Sequence, residues 1–215
     1  LPRVQGLRNE LADIRRIASN LSGTMDGYLV MGTSHHIGLH RLPPILSQFN
    51  QDYPNVLLDL RFVSSEEALE AVEQGDLELA VVTLPNTLPP QLQANTIWKD
   101  QLHIVVSATH PLGKNPQASI ETLAQYRCVL PSQETYTYQI INQAMQVLGY
   151  ELNVYLSTNY LETLKMLVIA GFGWSLLPHT LVDESVVIVN TPLHLTRELG
   201  VLTHKKRSIS HAGQI

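Results

Sequence analysis

Cysteine is all but missing from this chain: Cys128 is the one thiol in 215 residues. No internal disulfide can form, and nothing points to an oxidising compartment. Cys128 lies in the apolar run RCVLP with Arg127 as its one adjacent charge, which suits a buried small hydrophobe better than a reactive thiolate. Basic residues are also few. Fourteen Lys and Arg stand against 19 Asp and Glu, a formal net charge of −5. A phosphate backbone demands clustered Lys and Arg, so this chain alone is not expected to grip nucleic acid. Its one tight basic cluster, Lys205-Lys206-Arg207, is short enough to be a solvated turn. No apolar run approaches the roughly 20 residues that span a bilayer, and no signal-peptide pattern opens the chain. No membrane partner is expected, and a cytoplasmic location is. Catalytic signatures are missing too: there is no GxSxG and no GxxxxGK. AGFGWS holds a G-x-G without a third glycine in register and follows a helical pattern, so it reads as a cap and turn. Neither an enzyme nor a cofactor is expected.

What is present is a sizeable apolar content, 44%, enough for one large or two small domains. Residues 1–23 carry apolar side chains at Val4, Leu7, Leu11, Ile14, Ala18 and Leu21, with spacings of 3, 4, 3, 4, 3. That is a heptad seam, the pattern of a helix that pairs with another helix, and packing on its own domain is the alternative. Such a pairing helix at the start, and a helix beginning in SISHAGQI at the end, lead us to expect a portion of a longer protein.

After Gly27 the pattern changes. YLVMG reads as a buried strand and residues 36–51 as a helix that contains Pro43 and Pro44. NVLLDLRFV is a strand; SSEEALEAVEQG is a helix with Ser64 or Ser65 as N-cap and Gly75 as C-cap. LELAVVTL has the apolar density of a strand buried on both faces. LQANTIW and LHIVVSA read as two more strands. The outline then repeats. NVYLSTNYLETLKMLVIAGFGWSLLP resembles LLDLRFVSSEEALEAVEQGDLELAVV in its strand, hydroxyl turn, helix, glycine turn and strand. Strands alternating with helices predict an α/β fold of two similar Rossmann-like lobes. The expected bounds are a linker helix over 1–23, lobe I over 27–107 and 205–215, and lobe II over 108–204.

At four places a strand ends and a helix begins with hydroxyl residues: Thr33-Ser34, Ser64-Ser65, Ser132 with Thr135, and Ser157-Thr158. Each helix start presents unpaired N–H groups and a positive dipole end. Facing lobes would bring these ends to one cleft that suits an anion or a small polar molecule. Ser and Thr are also the default N-caps, so each hydroxyl alone has a purely structural reading.

Four motifs in order then resemble the effector-binding domain of LysR-type transcriptional regulators: GYLVMGTSHHIGLHRLPPILSQFNQDYPNVLLDL, EALEAVEQGDLELAVV, VVSATHPL and VIAGFGWSLLP. The resemblance covers nearly the whole chain. It implies a periplasmic-binding-protein type II-like fold whose lobes are joined by two crossing hinge strands, near Val105–Ala108 and Val201–His204. It implies a small-molecule effector held by Ser34, Ser65, Thr83, Pro131, Ser132 and Thr158; the hydroxyl turns add Thr33 and Ser64 as expected contacts, and His35 and His36 add imidazoles able to hydrogen-bond an acidic effector. It implies self-association as a dimer or tetramer through helices near 36–50 and 137–148, where Ile140, Ile141, Ala144 and Val147 suit either interface or core. It further implies a DNA partner, reached through a winged helix-turn-helix not included in this chain, and RNA polymerase as a further partner. His35 and His36 stand where the family often has Pro and Thr. A metal-sensing variant using His35, His36 and His40 is one alternative, since His36 and His40 are spaced i, i+4. A solute-binding receptor of a transporter with the same fold is another. No metal is assigned among the expected site residues.

Overall fold

A computed structural model describes residues 27–114 and 117–215, together with residues 6, 10, 11, 14, 16 and 17. Those six have helical backbone; Leu11 and Ile14 are exposed on it, while Arg16 is buried beside Glu78. The remaining heptad positions lie outside the described residues. The chain divides into two compact units, residues 1–97 with 199–215, and residues 98–198.

In the first unit, β1 (Gly27–Thr33) pairs in parallel with β2 (Val56–Phe62) on one side and β3 (Leu79–Thr83) on the other. β3 pairs antiparallel with β9 (Leu195–His204), and the order continues to β4 (Leu92–Val106). Every residue of β3 is buried, as its unbroken apolar run requires of a central strand covered on both faces. The helix expected over 36–51 is instead two: α1 (His35–His40) and α2 (Pro43–Asp52). Proline has no N–H and clashes with the preceding turn, so Pro43 and Pro44 can open a helix but not continue one. α3 (Ser65–Gln74) follows β2, and its Ser64 N-cap forms a capping box with Glu67. Ala68, Val72, Leu77, Ala80, Val82, Leu92 and Leu202 build the core beneath it. Glu78, buried in this unit, accepts hydrogen bonds from the backbone N–H and the hydroxyl of Ser210, both at 2.7 Å. These bonds anchor the start of α8 (His211–Gln214).

The second unit begins within β4, which is one strand and not the two expected. No glycine or proline interrupts LQANTIWKDQLHIVV, so nothing local stops the extended run. α4 (Pro111–Lys114) and α5 (Ile120–Ala124) lead to β5 (Cys128–Leu130), α6 (Tyr136–Val147), β6 (Val154–Ser157) and α7 (Leu161–Ile169). β7 (Ser175–Pro178) and β8 (Val187–Ile188) both pair antiparallel with β4, while β5 and β6 form a parallel pair. The core gathers Trp174, Leu130, Met145 and Ile141, with Ile140 and Ala144 packed against it. Of the four α6 residues suited to either role, Ile141 is thus core, and Val147 is 79% exposed. Gly173 makes the AGFG turn possible: its φ is +152°, and an added Cβ would collide with the Arg127 carbonyl.

The division falls inside β4 and β9, between Ile97 and Trp98 and between Glu198 and Leu199. The expected hinge segments lie on these same two strands, Val105 and Val106 at the end of β4 and Val201–His204 at the end of β9, and the expected bounds at 107/108 and 204/205 fall at the strand ends. Proline and glycine announce where a strand stops; a change of packing partners midway along a strand leaves no such mark.

Candidate functional site

In the first unit, three strand ends and two helix starts place the expected residues. Thr33, the last residue of β1, is fully buried and its hydroxyl donates to the Val81 carbonyl at 2.9 Å. It therefore ties β1 to β3. Ser65 is also buried, and its hydroxyl accepts from the backbone N–H of Thr83 at 3.1 Å, joining the start of α3 to the end of β3. Ser64 accepts from the Glu67 N–H at 3.1 Å, while the Glu67 carboxylate accepts from the Ser64 N–H at 2.9 Å. These reciprocal bonds satisfy two helix-end donors. Ser34 differs from all of these. It is the N-cap of α1, extended at φ −73° and ψ 151°, yet its side chain makes no capping hydrogen bond. It is half-buried, with a hydroxyl that local structure does not use.

The histidines separate. His35 is half-buried and presents its ring edge-on to Phe62, 6.2 Å between centroids. His36 is buried and its ring lies 4.7 Å from that of exposed His40, tilted by 32°. The i, i+4 spacing thus does bring His36 and His40 to one face of α1, and His35 takes another direction.

In the second unit, Pro131 is buried at the end of β5. The Ser132 N–H donates to Asn159 Oδ1 at 2.9 Å, and the Ser132 carbonyl accepts from the Thr135 hydroxyl at 2.8 Å. Thr135 in turn caps α6 by accepting from the Tyr138 N–H. Thr158 donates its N–H to the Leu130 carbonyl at 3.3 Å, and its hydroxyl accepts from the Tyr160 N–H at 3.4 Å. The turns after β5 and β6 are therefore stitched together, with Asn159 as the bridge. Asn159 was not among the expected residues, although its place beside Thr158 in STNY was a cue. No such cue existed for the buried pair Asp100–Arg197. Arg197 Nε and Nη2 donate to Asp100 Oδ2 at 3.0 and 2.8 Å, and Nη1 donates to the Thr137 hydroxyl at 3.3 Å. Cys128 is fully buried, and burial pushes its thiol up to about 12, which removes it from nucleophilic chemistry.

Parallel strands whose C-terminal ends carry hydroxyl turns and helix N-termini define an architecture built to hold small molecules in their turns. The fold is the two-lobed, periplasmic-binding-protein type II-like kind. It is shared with the Synechocystis PCC6803 CcmR regulatory domain in complex with 2-PG, at a TM-score of 0.78, 19% identity, 88% of this chain and 93% of that one. It is shared equally with the effector-binding domain of QuiR in complex with shikimate, at a TM-score of 0.78, 18% identity, 88% of this chain and 92% of that one. Residues 22–214 match the LysR substrate binding domain, and the chain belongs to that family. Among full-length relatives is the "Probable RuBisCO transcriptional regulator" of Thalassiosira pseudonana, 24% identical over 202 residues, which are 88% of this chain and 66% of the relative. The chain spans two thirds or less of the length of the curated relatives it matches. Among the described residues no helix is long and apolar enough to cross a membrane.

Proposed function

We propose that this chain is the ligand-sensing part of a LysR-type transcriptional regulator, and that it binds a small anionic effector. The observation that carries this reading is Ser34. Among the hydroxyls at the strand-end turns of the first unit, Thr33, Ser64 and Ser65 are committed to local structure, whereas Ser34 makes no cap bond. A hydroxyl at the end of a β-strand, at the N-terminal end of α1, donates well to a carboxylate or phosphate oxygen. His35, on the same first turn, adds an imidazole donor, while His36 turns its ring towards His40. In the second unit, Ser132 and Thr158, on the buried base of Pro131, supply polar groups of the same kind. Thr33, Ser65 and Thr83 hold the first set of turns in position and do not themselves grip ligand. Shikimate with QuiR and 2-PG with CcmR support an acidic effector class for this chain.

The remainder follows from the regulator reading. DNA is bound through a winged helix-turn-helix in the part of the relatives this chain does not span, and the protein works in the cytoplasm. The chain performs no catalysis. It self-associates, using segments near 36–50 and 137–148. α2 buries none of its residues, and both Ile45 on it and Val147 at the end of α6 are exposed. RNA polymerase is a partner of the DNA-bound form. Effector binding shifts the regulator between two arrangements by no more than its difference in affinity for them.

Thermal unfolding against a panel of carboxylates, phosphate esters, amino acids and inorganic oxyanions tests the reading. A ligand at 100 times its Kd stabilises the folded state by about 2.7 kcal/mol. The expected result is a saturable rise in Tm with one acidic class that Ser34→Ala removes. A panel of acids with no saturable member, or a rise unchanged in Ser34→Ala, would refute it.

A further inference from the structure

We propose that His36 and His40 form a two-imidazole site for a late first-row divalent metal ion, zinc, nickel or copper, independently of the effector.

The geometry sits within α1 alone. The i, i+4 spacing stacks the two rings on one helix face with centroids 4.7 Å apart. One ring nitrogen of each lies within 4.8 Å of the other. Two nitrogens bound at 2.0–2.1 Å to one tetrahedral ion are about 3.4 Å apart, so an approach of at most about 1.4 Å through side-chain rotation completes the chelate. The helix is held firmly for its length. His36, Ile37 and Gly38 are buried, and a Cβ on Gly38 would collide with the ring of Phe62. The backbone that presents both imidazoles is therefore anchored, while His40 stands exposed at the helix end where an ion can arrive. His35 is excluded from the set because its ring faces Phe62. Imidazole selects zinc, copper and nickel over magnesium and calcium, which prefer oxygen donors. Two protein ligands leave at least two positions on a tetrahedral ion for water or an anion, an open site rather than a closed structural one.

Isothermal titration of the tag-free, metal-stripped chain with ZnCl2, NiCl2 and MgCl2 tests the proposal. Variants His35→Gln, His36→Gln and His40→Gln are titrated in parallel. The expected result is one-to-one binding of zinc and nickel and no binding of magnesium. It is retained in His35→Gln and weakened by about tenfold or more in His36→Gln and in His40→Gln. His40 is exposed, so its variant keeps the fold and decides the matter even if the buried His36 variant unfolds. Wild-type binding at other than one-to-one, magnesium binding as tight as zinc, or zinc binding unchanged in His40→Gln would overturn the proposal. The readout uses no effector, so its failure would leave the anion reading untouched, and the anion panel contains no metal.

Discussion

Replacing Arg197 by Met removes the cation from a carboxylate with almost no contact with water. Asp100 has 1% side-chain exposure and Arg197 5%, and two guanidinium nitrogens converge on one Asp100 oxygen. Stranding one member of such a pair costs about 3–5 kcal/mol, because the remaining charge stays desolvated without its partner. Thr137 also loses its hydrogen bond from Nη1, in the range of about 1 kcal/mol. Against a typical total stability of about 5–15 kcal/mol this is a large fraction. At a urea slope near 2 kcal/mol/M the unfolding midpoint drops by about 2–3 M. Both tryptophans, Trp98 and Trp174, belong to the second unit, so their fluorescence in a urea titration reports on the unit that carries the pair. The double replacement Asp100→Leu with Arg197→Met discards both charges and is expected within about 1 kcal/mol of the unmodified chain, since a buried pair contributes little beyond repaying its own desolvation. A single variant as stable as the parent, or a double variant as damaged as the single, would show that burial of this charge is not what the pair offsets.

Three further outcomes are expected. Ser64→Ala removes one half of the capping box and lowers stability by about 1 kcal/mol, whereas Ser64→Gly costs only a few tenths; melting curves of the two variants separate these. Cys128 resists a thiol reagent such as iodoacetamide in the folded chain and reacts once urea unfolds it, because burial holds the thiol protonated; mass spectrometry at matched times reads the difference. The Asp183 carboxyl is held down to about 2, chiefly by the hydrogen bond from Lys165 and then by Ser185. A depressed acid stabilises the folded state above its unfolded value, so this contribution is complete above about pH 4 and disappears as pH falls towards about 2. Because Asp183 is exposed, salt weakens the effect, and an NMR titration of Lys165→Met finds the carboxyl raised towards its ordinary value, with the part held by Ser185 remaining.

Periodicity and capping chemistry make much of the architecture legible in the sequence. β3, α3 with its Ser64 cap and the AGFG turn all appear where alternation, hydroxyls and glycines place them, since each signal acts within a few residues. The same local reasoning identified which turns carry hydroxyls. It had no means of ranking them. Whether a serine caps its own helix, as Ser64 does, or leaves its hydroxyl uncommitted, as Ser34 does, depends on which neighbour the fold brings within hydrogen-bond reach. The hydroxyl of Thr33, one of the expected contacts, donates to the carbonyl of Val81, 48 residues away, a partner that no local signal marks.

Long-range partners account for the rest. Asp100 and Arg197 are 97 residues apart and meet because β4 and β9 run side by side, and Asn159 reaches Ser132 across 27 residues. The break after Arg41 shows the boundary between the two kinds of information. Proline chemistry dictated that a helix must begin at Pro43, while packing of Ile37 and Leu42 into the core decided that a separate six-residue helix would stand before it. Local preferences of backbone and caps therefore chose the elements and their order. Burial and hydrogen bonds between distant segments chose which side chains became struts and which remained available to a ligand, because those free energies exist only once the chain has closed on itself.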